Sequence, residues 1–296
     1  MCAASRATSV TRVVGVAFFL AVMAVAPGAV VAPTILSQPV HALGSGSSVI
    51  RQLGFDAQCA PTSAQMNTLW INSPWWWVGV YIGGDNVSCK SNANLTGSWL
   101  NTVHGQGWEF AFFWVGDQAP CIANPQLYYL ISPNTSTAAT QGSNNAAAAY
   151  ARIINLGVTN SAAGTPITYD LDGYGQPTKG SSCQLAVNAF MAAWTSYLHG
   201  GIAQLSGVYG STCASNLNYL ASVSPTVDYI FGAYYDGNPS TSDMPCVSST
   251  NWVNNQRLKQ YTANQSASQY GVSITVDYDC SHGPVAPSGS SGGSAC

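Results

Sequence analysis

Apolar residues gather along the chain into eight short runs, each closing in small or polar residues: Leu53 to Asp56, Val78 to Gly83, Glu109 to Val115, Pro166 to Asp172, Leu205 to Gly210, Asp228 to Tyr235, Leu258 to Tyr261 and Val272 to Asp279. Most are rich in aromatic and β-branched residues and show no long alternation, the pattern of parallel strands covered on both faces. Between several of them the period lengthens to that of a helix. Asn144 to Leu156 is Ala-rich and stops at Gly157, and Gln184 to Leu198 stops at Gly200-Gly201; a glycine just past a helical run is a C-terminal stop signal. Strands alternating with helices imply parallel βαβ units, and eight of them imply a single α/β (β/α)8 TIM-type barrel, with irregularity expected in its last helices.

The ends of the chain set the boundaries. Arg6 and Arg12 precede an apolar run from Val13 to Ala32 that is broken at Pro27-Gly28 and followed by Val40-His41-Ala42, an A-x-A-like cleavage site. This reads as an export signal over residues 1–42, in preference to a retained membrane anchor, because the run is interrupted before it reaches spanning length. Residues 43–49 then form a flexible lead-in, 50–282 the barrel, and 283–296 a Ser/Gly-rich tail with nothing to pack a core. A mature chain of about 250 residues matches the size of one such barrel.

Composition narrows the function. Only 6% of residues are charged, against about 25% in ordinary soluble proteins. Without Arg6 and Arg12 the mature chain keeps six basic and eleven acidic residues, net −5, which argues against nucleic acid and anionic lipid as partners. No second spanning-length apolar stretch occurs in the mature chain, so no membrane association is expected after signal removal; a monomer is expected as well. Eight cysteines remain after the signal: Cys59, Cys89, Cys121, Cys183, Cys213, Cys246, Cys280 and Cys296. An even count in an exported chain reads as four disulfides, although eight cysteines allow 105 pairings. Most follow a strand run, which places the bridges at the C-terminal rim, with neighbouring loops such as those of Cys59 and Cys89 easiest to join. No C-x-x-C occurs and no histidine stands at zinc-ligand spacing from a cysteine, so neither metal nor cofactor is expected, the remaining option being a divalent cation among clustered Asp oxygens.

With so few acids, their placement is informative. Asp56 closes the first run, Asp170 and Asp172 the fourth, and Asp277 and Asp279 the eighth. Period-two geometry puts both members of a pair on one side of the strand, and in a barrel Asp56, Asp170, Asp172 and Asp277 would then meet at the rim. Crowded carboxyls raise one another's pKa, so one keeps a proton to donate while an ionised neighbour stabilises an oxocarbenium-like centre, as glycoside hydrolysis requires. The competing reading is that strand-end acids cap helices or shape turns. Trp114, Tyr209, Tyr234, Tyr261 and Tyr278 fall at or near strand ends and are candidates for stacking on sugar rings. Trp75, Trp76 and Trp77 precede a strand and read as core. A Ser-His-Asp site finds no Gly-x-Ser-x-Gly elbow.

Taken in order, Gly54-Phe55-Asp56, Tyr81-Ile82-Gly83-Gly84, Thr168-Tyr169-Asp170-Leu171-Asp172, Gly207-Val208-Tyr209-Gly210, Leu258-Lys259-Gln260-Tyr261 and Val276-Asp277-Tyr278-Asp279 resemble the strand motifs of the glycoside-hydrolase-like barrels catalogued as domain of unknown function 1906. Those barrels are similar to family 25 lysozymes, which cleave peptidoglycan glycan chains. The resemblance implies Asp56 on the first strand, Asp170 with Asp172 in the place of the family's Asp-x-Glu acid, and Asp277 on the last; Asp172 is one methylene shorter than the family's Glu. It implies a secreted or cell-wall hydrolase acting on peptidoglycan or a related polysaccharide. The alternative is a glycan-binding protein on a barrel that has lost turnover.

Overall fold

The computed structural model describes residues 46–158, 164–172, 174, 177–200, 203–214, 217–287 and 296. The expected export signal, residues 1–42, and most of the Ser/Gly-rich tail lie outside them. Eight strands close into a barrel in sequential order: β1 (Ser48–Ala57), β2 (Trp77–Gly83), β3 (Glu109–Trp114), β4 (Pro166–Asp170), β5 (Leu205–Ser211), β6 (Tyr229–Ala233), β7 (Arg257–Ser266) and β8 (Thr275–Val285). Four α-helices connect the first five: α1 (Ser63–Asn72), α2 (Gly97–Gly105), α3 (Thr135–Asn155) and α4 (Ser182–His199). Beyond β5 the connections are irregular, with 3-10 turns at Leu217–Ser222 and Ser268–Tyr270. Among the described residues no helix is long and apolar enough to cross a membrane.

One strand departs from the expected all-parallel plan. β1 to β7 pair in parallel, but β8 runs antiparallel to both β7 and β1. The physical reason lies in the connection: β7 reaches β8 through one 3-10 turn capped by Gly271 in the left-handed region (φ 85°), and so short a link can only reverse the chain, since a parallel return needs a crossover of a dozen or more residues. The consequence for the acids is direct. Asp277 and Asp279 do not close the eighth strand at its far end; they open it. Because β8 begins at the rim, Asp277 still pairs in register with Asp56 and Asp279 with Gly54.

The reversal also moves the domain edges. The whole length of β8 ladders onto β1 from Ser48↔Val285 to Asp56↔Asp277, so residues 48–49 of the expected lead-in and 283–285 of the expected tail are strand. Val285 and Ala286 are fully buried, and Ala286 exchanges backbone hydrogen bonds with Phe110 of β3.

The barrel has two apolar layers. Inside, Ile50, Trp77, Ala111, Phe113, Tyr229, Phe231, Leu258 and Val285 fill the lumen below the rim. Room for the rings comes from glycines on neighbouring strands: a Cβ at Gly54 would stand 2.2 Å from the Trp77 ring, and one at Gly207 would stand 2.2 Å from Tyr229. Outside, the alternate strand residues pack against the helices, with Phe55, Trp75 and Trp108 forming one aromatic cluster and Tyr169, Phe190 and Trp194 another. Helix α3 starts nine residues before the Ala-rich stretch that signals it, because Asn134 caps it by accepting from the Thr137 N–H at 3.0 Å. At its far end Gly157 takes φ 80° and donates to Ile154, the expected stop.

Four disulfides are formed, with Cα–Cα separations of 5.1 to 6.1 Å. Cys59–Cys89 ties the loop after β1 to that after β2, Cys121–Cys183 the loop after β3 to the start of α4, and Cys213–Cys246 the loop after β5 to that after β6. Cys280 does not follow a strand into a rim loop. It lies within β8, fully buried, and Cys280–Cys296 pins the chain's last residue to that strand.

Candidate active site

Strand ends build the site. A cleft of about 660 Å³ opens at the C-terminal face of the parallel strands and is lined by Asp56, Tyr81, Gln118, Asp170, Asp172, Tyr209, Tyr235, Asn264 and Asp277, among others. Period two explains the convergence. Asp56 continues the inward row of Ile50, Gln52 and Gly54; Asp170 shares its face with Thr168; Tyr209 shares its face with Gly207. The four carboxyls expected to meet, Asp56, Asp170, Asp172 and Asp277, therefore line one cleft.

Hydrogen bonds link them into a network. The Tyr81 hydroxyl donates to Asp56 Oδ1 at 3.0 Å. Gln260 Nε2 donates to Asp56 Oδ2 at 2.7 Å and to Asp277 Oδ2 at 3.2 Å. On the other side of the same amide, Gln260 Oε1 accepts from Tyr209 at 2.7 Å and from Tyr235 at 2.9 Å. The Asn264 N–H, on a residue with φ 56°, donates to Asp277 Oδ1 at 2.6 Å. Gln118 Nε2 holds the backbone carbonyl of Asp170 at 2.9 Å, whereas the buried Asp170 Oδ1 has no hydrogen-bond partner among the described residues.

Burial decides the protonation. Loss of water, with the charge of Asp277 next, pushes Asp56 up to about 7 despite the bonds from Gln260 and Tyr81 that pull it back. Asp170 is held well above the usual carboxylate range, first by burial and then by the charges of Asp172 and Asp56. Asp277 is raised by burial, less strongly opposed by the Asn264 N–H. Beneath them Asp279, fully buried on β8, is also held well above its ordinary range by burial and by the charges of Asp56 and Asp277. Tyr81 and Tyr209 are half-buried at the cleft and loss of water raises both well above the ordinary phenol range, so both serve as donors. Asp172 differs from all of these in being exposed within the cleft.

The aromatic expectations divide. Tyr209 lines the cleft. Trp114 does not: it faces outward, and its indole N–H donates to Asn145 Oδ1 of α3 at 2.8 Å. Tyr261 and Tyr278 face each other across the outside of β7 and β8 at 6.2 Å, with Tyr278 also against Trp75 at 5.3 Å. Tyr234 is partly exposed but turned under the Lys259 ammonium, 5.2 Å from its ring, rather than toward the cleft. In their place stand Tyr81 and Tyr235, the latter 59% exposed at the mouth, with Gln118, Gln260 and Asn264. Tyr81 could have been found from sequence, since it follows Trp77 and Gly79 at period two. Nothing in the sequence singles out Gln260. Among the described residues no group of three or more His, Cys, Asp or Glu side chains is placed to hold a metal ion.

Comparisons with known proteins agree with this architecture. The fold resembles the Mycobacterium tuberculosis Tat-secreted protein Rv2525c, crystallised with L-tartrate, at a TM-score of 0.51 and 13% identity over 78% of this chain and 95% of that one. It resembles the Clostridium perfringens spore cortex lytic enzyme SleM at 0.50 and 14% identity, over 82% of this chain and 68% of that one. A family 25 glycosyl hydrolase from Bacillus anthracis matches at 0.47 and 15% identity, over 80% and 95%. At these identities the likeness to Rv2525c and SleM speaks for the fold alone. No curated protein matches the chain. Residues 68–281, most of the chain and the barrel from α1 into β8 but not β1, match the model of the Rv2525c-like, glycoside hydrolase-like domain, and the chain belongs to that family.

Proposed function

We propose that the protein is an exported glycoside hydrolase that cleaves a cell-wall or related polysaccharide, peptidoglycan foremost, at the carboxyl-lined cleft. The observation that carries this reading is the convergence of Asp56, Asp170, Asp172 and Asp277 from three strands onto one cleft, where burial raises the pKa of Asp56, Asp170 and Asp277. Glycosidic cleavage needs such a set, one carboxyl to donate a proton and another to stabilise or attack the sugar centre. Asp172, exposed in the cleft, is the acid that meets the glycosidic oxygen. Asp170 behind it, with Asp56 and Asp277 opposite, stabilises, orients or attacks the sugar centre. The spore cortex lytic activity named for SleM supports a wall glycan, and the four disulfides, with the Tat-secreted Rv2525c as a fold relative, support an extracellular site.

A purely binding role leans on stacking aromatics; of the five expected for it only Tyr209 lines the cleft, where Tyr81, Tyr128 and Tyr235 stand beside it. The test is release of new reducing ends from peptidoglycan and chitin-like polymers. Asp172→Asn keeps the shape and removes the ionisable proton, so turnover should fall by roughly 10² to 10⁴ with glycan retention little changed. A wild-type protein that retains glycan and releases no ends is a binding module, and turnover indifferent to Asp172→Asn assigns the acid elsewhere.

A further inference from the structure

We propose that Gln260 is a positioning residue that holds Asp56 and Asp277 as a matched pair of hydrogen-bond acceptors, and that Tyr209 and Tyr235 hold its amide in place. The inference builds on the glycosidase reading, and its test separates the two.

The geometry uses every polar atom of the amide. Its two N–H bonds go to two different carboxylates, Asp56 Oδ2 at 2.7 Å and Asp277 Oδ2 at 3.2 Å, and its oxygen takes two hydroxyls, Tyr209 at 2.7 Å and Tyr235 at 2.9 Å. A primary amide can donate two hydrogen bonds and accept two. Turned over, it would set its oxygen against two acceptor oxygens, so the order of atoms is fixed from both sides. Gln260 is 1% exposed, and its backbone is equally held: it pairs with Ala233 of β6 and Asp279 of β8, and its carbonyl accepts from the Tyr234 N–H. The next residue outward on β6's loop, Asp236, is ion-paired at 2.9 Å to the buried Lys259, which keeps the segment carrying Tyr235 against the cleft.

Gln260 thereby joins two strands' carboxylates without carrying charge. Around Asp56 stand Tyr81 on β2, Asp170 at the end of β4 with Asp172 just past it, Tyr209 on β5, Tyr235 after β6, and Asp277 and Asp279 on β8. None of these is a cation. The uncharged amide, ahead of the Tyr81 hydroxyl and Asp279, thus opposes burial and mutual repulsion at Asp56, and losing the amide leaves Asp56 harder to ionise. Tyr235 also gives the network an end at the mouth, where an entering sugar can compete for its hydroxyl.

Carboxyl carbon NMR of the full-length protein, uniformly ¹³C-labelled, follows each Asp side chain through a pH titration and needs no substrate. With Gln260→Leu the Asp56 midpoint should rise by about one pH unit or more, the size expected for losing one charge-assisted hydrogen bond. Tyr235→Phe, at an exposed position that tolerates the change, should move it in the same direction by less, and keeps the test available should Gln260→Leu fail to fold. In kinetics, the acid limb of the kcat profile should move to higher pH with KM nearly constant. An Asp56 midpoint unmoved by both variants overturns the proposal. Shifted midpoints in a protein without turnover leave the positioning role standing and remove the glycosidase reading.

Discussion

Side-chain parity separates the residues that reach the cleft from those that do not. Asp277 and Asp279 share one face of β8 and Tyr278 takes the other; Gln260 takes one face of β7 and Tyr261 the other. That much is written in the sequence, and it already places Tyr261 and Tyr278 away from the acids. Trp114 is different. β3 reads Glu-Phe-Ala-Phe-Phe-Trp, apolar on both faces apart from its first residue, so no alternation tells which residues look inward. Close packing makes a single methyl informative at this scale. A Cβ at Gly79, the register partner of Asp56, would stand 2.6 Å from the Asp56 Cβ and 2.7 Å from the Phe113 ring. Gly79→Ala should therefore destabilise by about 1–3 kcal/mol as an overpacked core position. Turnover should fall on the order of a hundredfold through displacement of Asp56, read as reducing-end release beside a thermal melt; unchanged turnover would show that Asp56 does not need its present position.

Among the elements, the runs with dense apolar and aromatic residues announced all eight strands, because a strand covered on both faces has few other compositions open to it. The direction of β8 was not legible. Strand direction depends on the length of the preceding connection, and 267–274 gives no strong turn dipeptide to mark a reversal. The same reversal explains why the last acids still meet Asp56: a parallel β8 would bring its far end to the rim, and the antiparallel one brings its start. The disulfides give this scale its prediction. Cys121–Cys183 closes 62 residues and joins the loop carrying Gln118 to the segment following Asp170 and Asp172. Cys280–Cys296 closes 16 and lies away from the cleft. Replacing Cys121 and Cys183 by Ser should lower stability by about 4 kcal/mol, and Cys280 with Cys296 by about 3. At about 2–4 °C per kcal/mol both losses are visible in a melt, but only the first pair should lower turnover. Equal losses of turnover in the two double variants would mean that the rim bridges do not brace the site.

For the molecule as a whole, the scarcity of charge has a consequence for pH. Burial raises Asp56 to about 7 and Glu109 to about 8, and it raises Asp170 and Asp279 well above their ordinary range. Glu109 stands at the foot of β3, on the inward face with Ala111 and Phe113 and far from the cleft, 8% exposed, with its Oε2 unpartnered among the described residues. Each of these groups binds a proton more tightly folded than unfolded. Their contribution is fully present below the unfolded value near 4 and is lost as pH rises through the folded one, so stability falls with increasing pH across roughly 4 to 8. His282 and Asp236 work in the opposite sense, since burial and Arg51 lower the pKa of His282, and at Asp236 desolvation is outweighed by Lys259 together with backbone N–H bonds, which lower the carboxyl; they are two groups against several. Calorimetric melts should therefore show the highest Tm on the acid side of neutrality, unlike proteins whose carboxylates are ion-paired. Each buried carboxyl contributes a slope of at most about 1.4 kcal/mol per pH unit. Glu109→Gln removes one of them without touching the cleft, and should flatten the decline between about pH 4.5 and 8 while the pH profile of turnover keeps its shape. A Tm that climbs steadily from pH 5 to 8 would mean that these carboxyls ionise freely in the folded barrel, and the proton-holding character assigned to the cleft would fall with it.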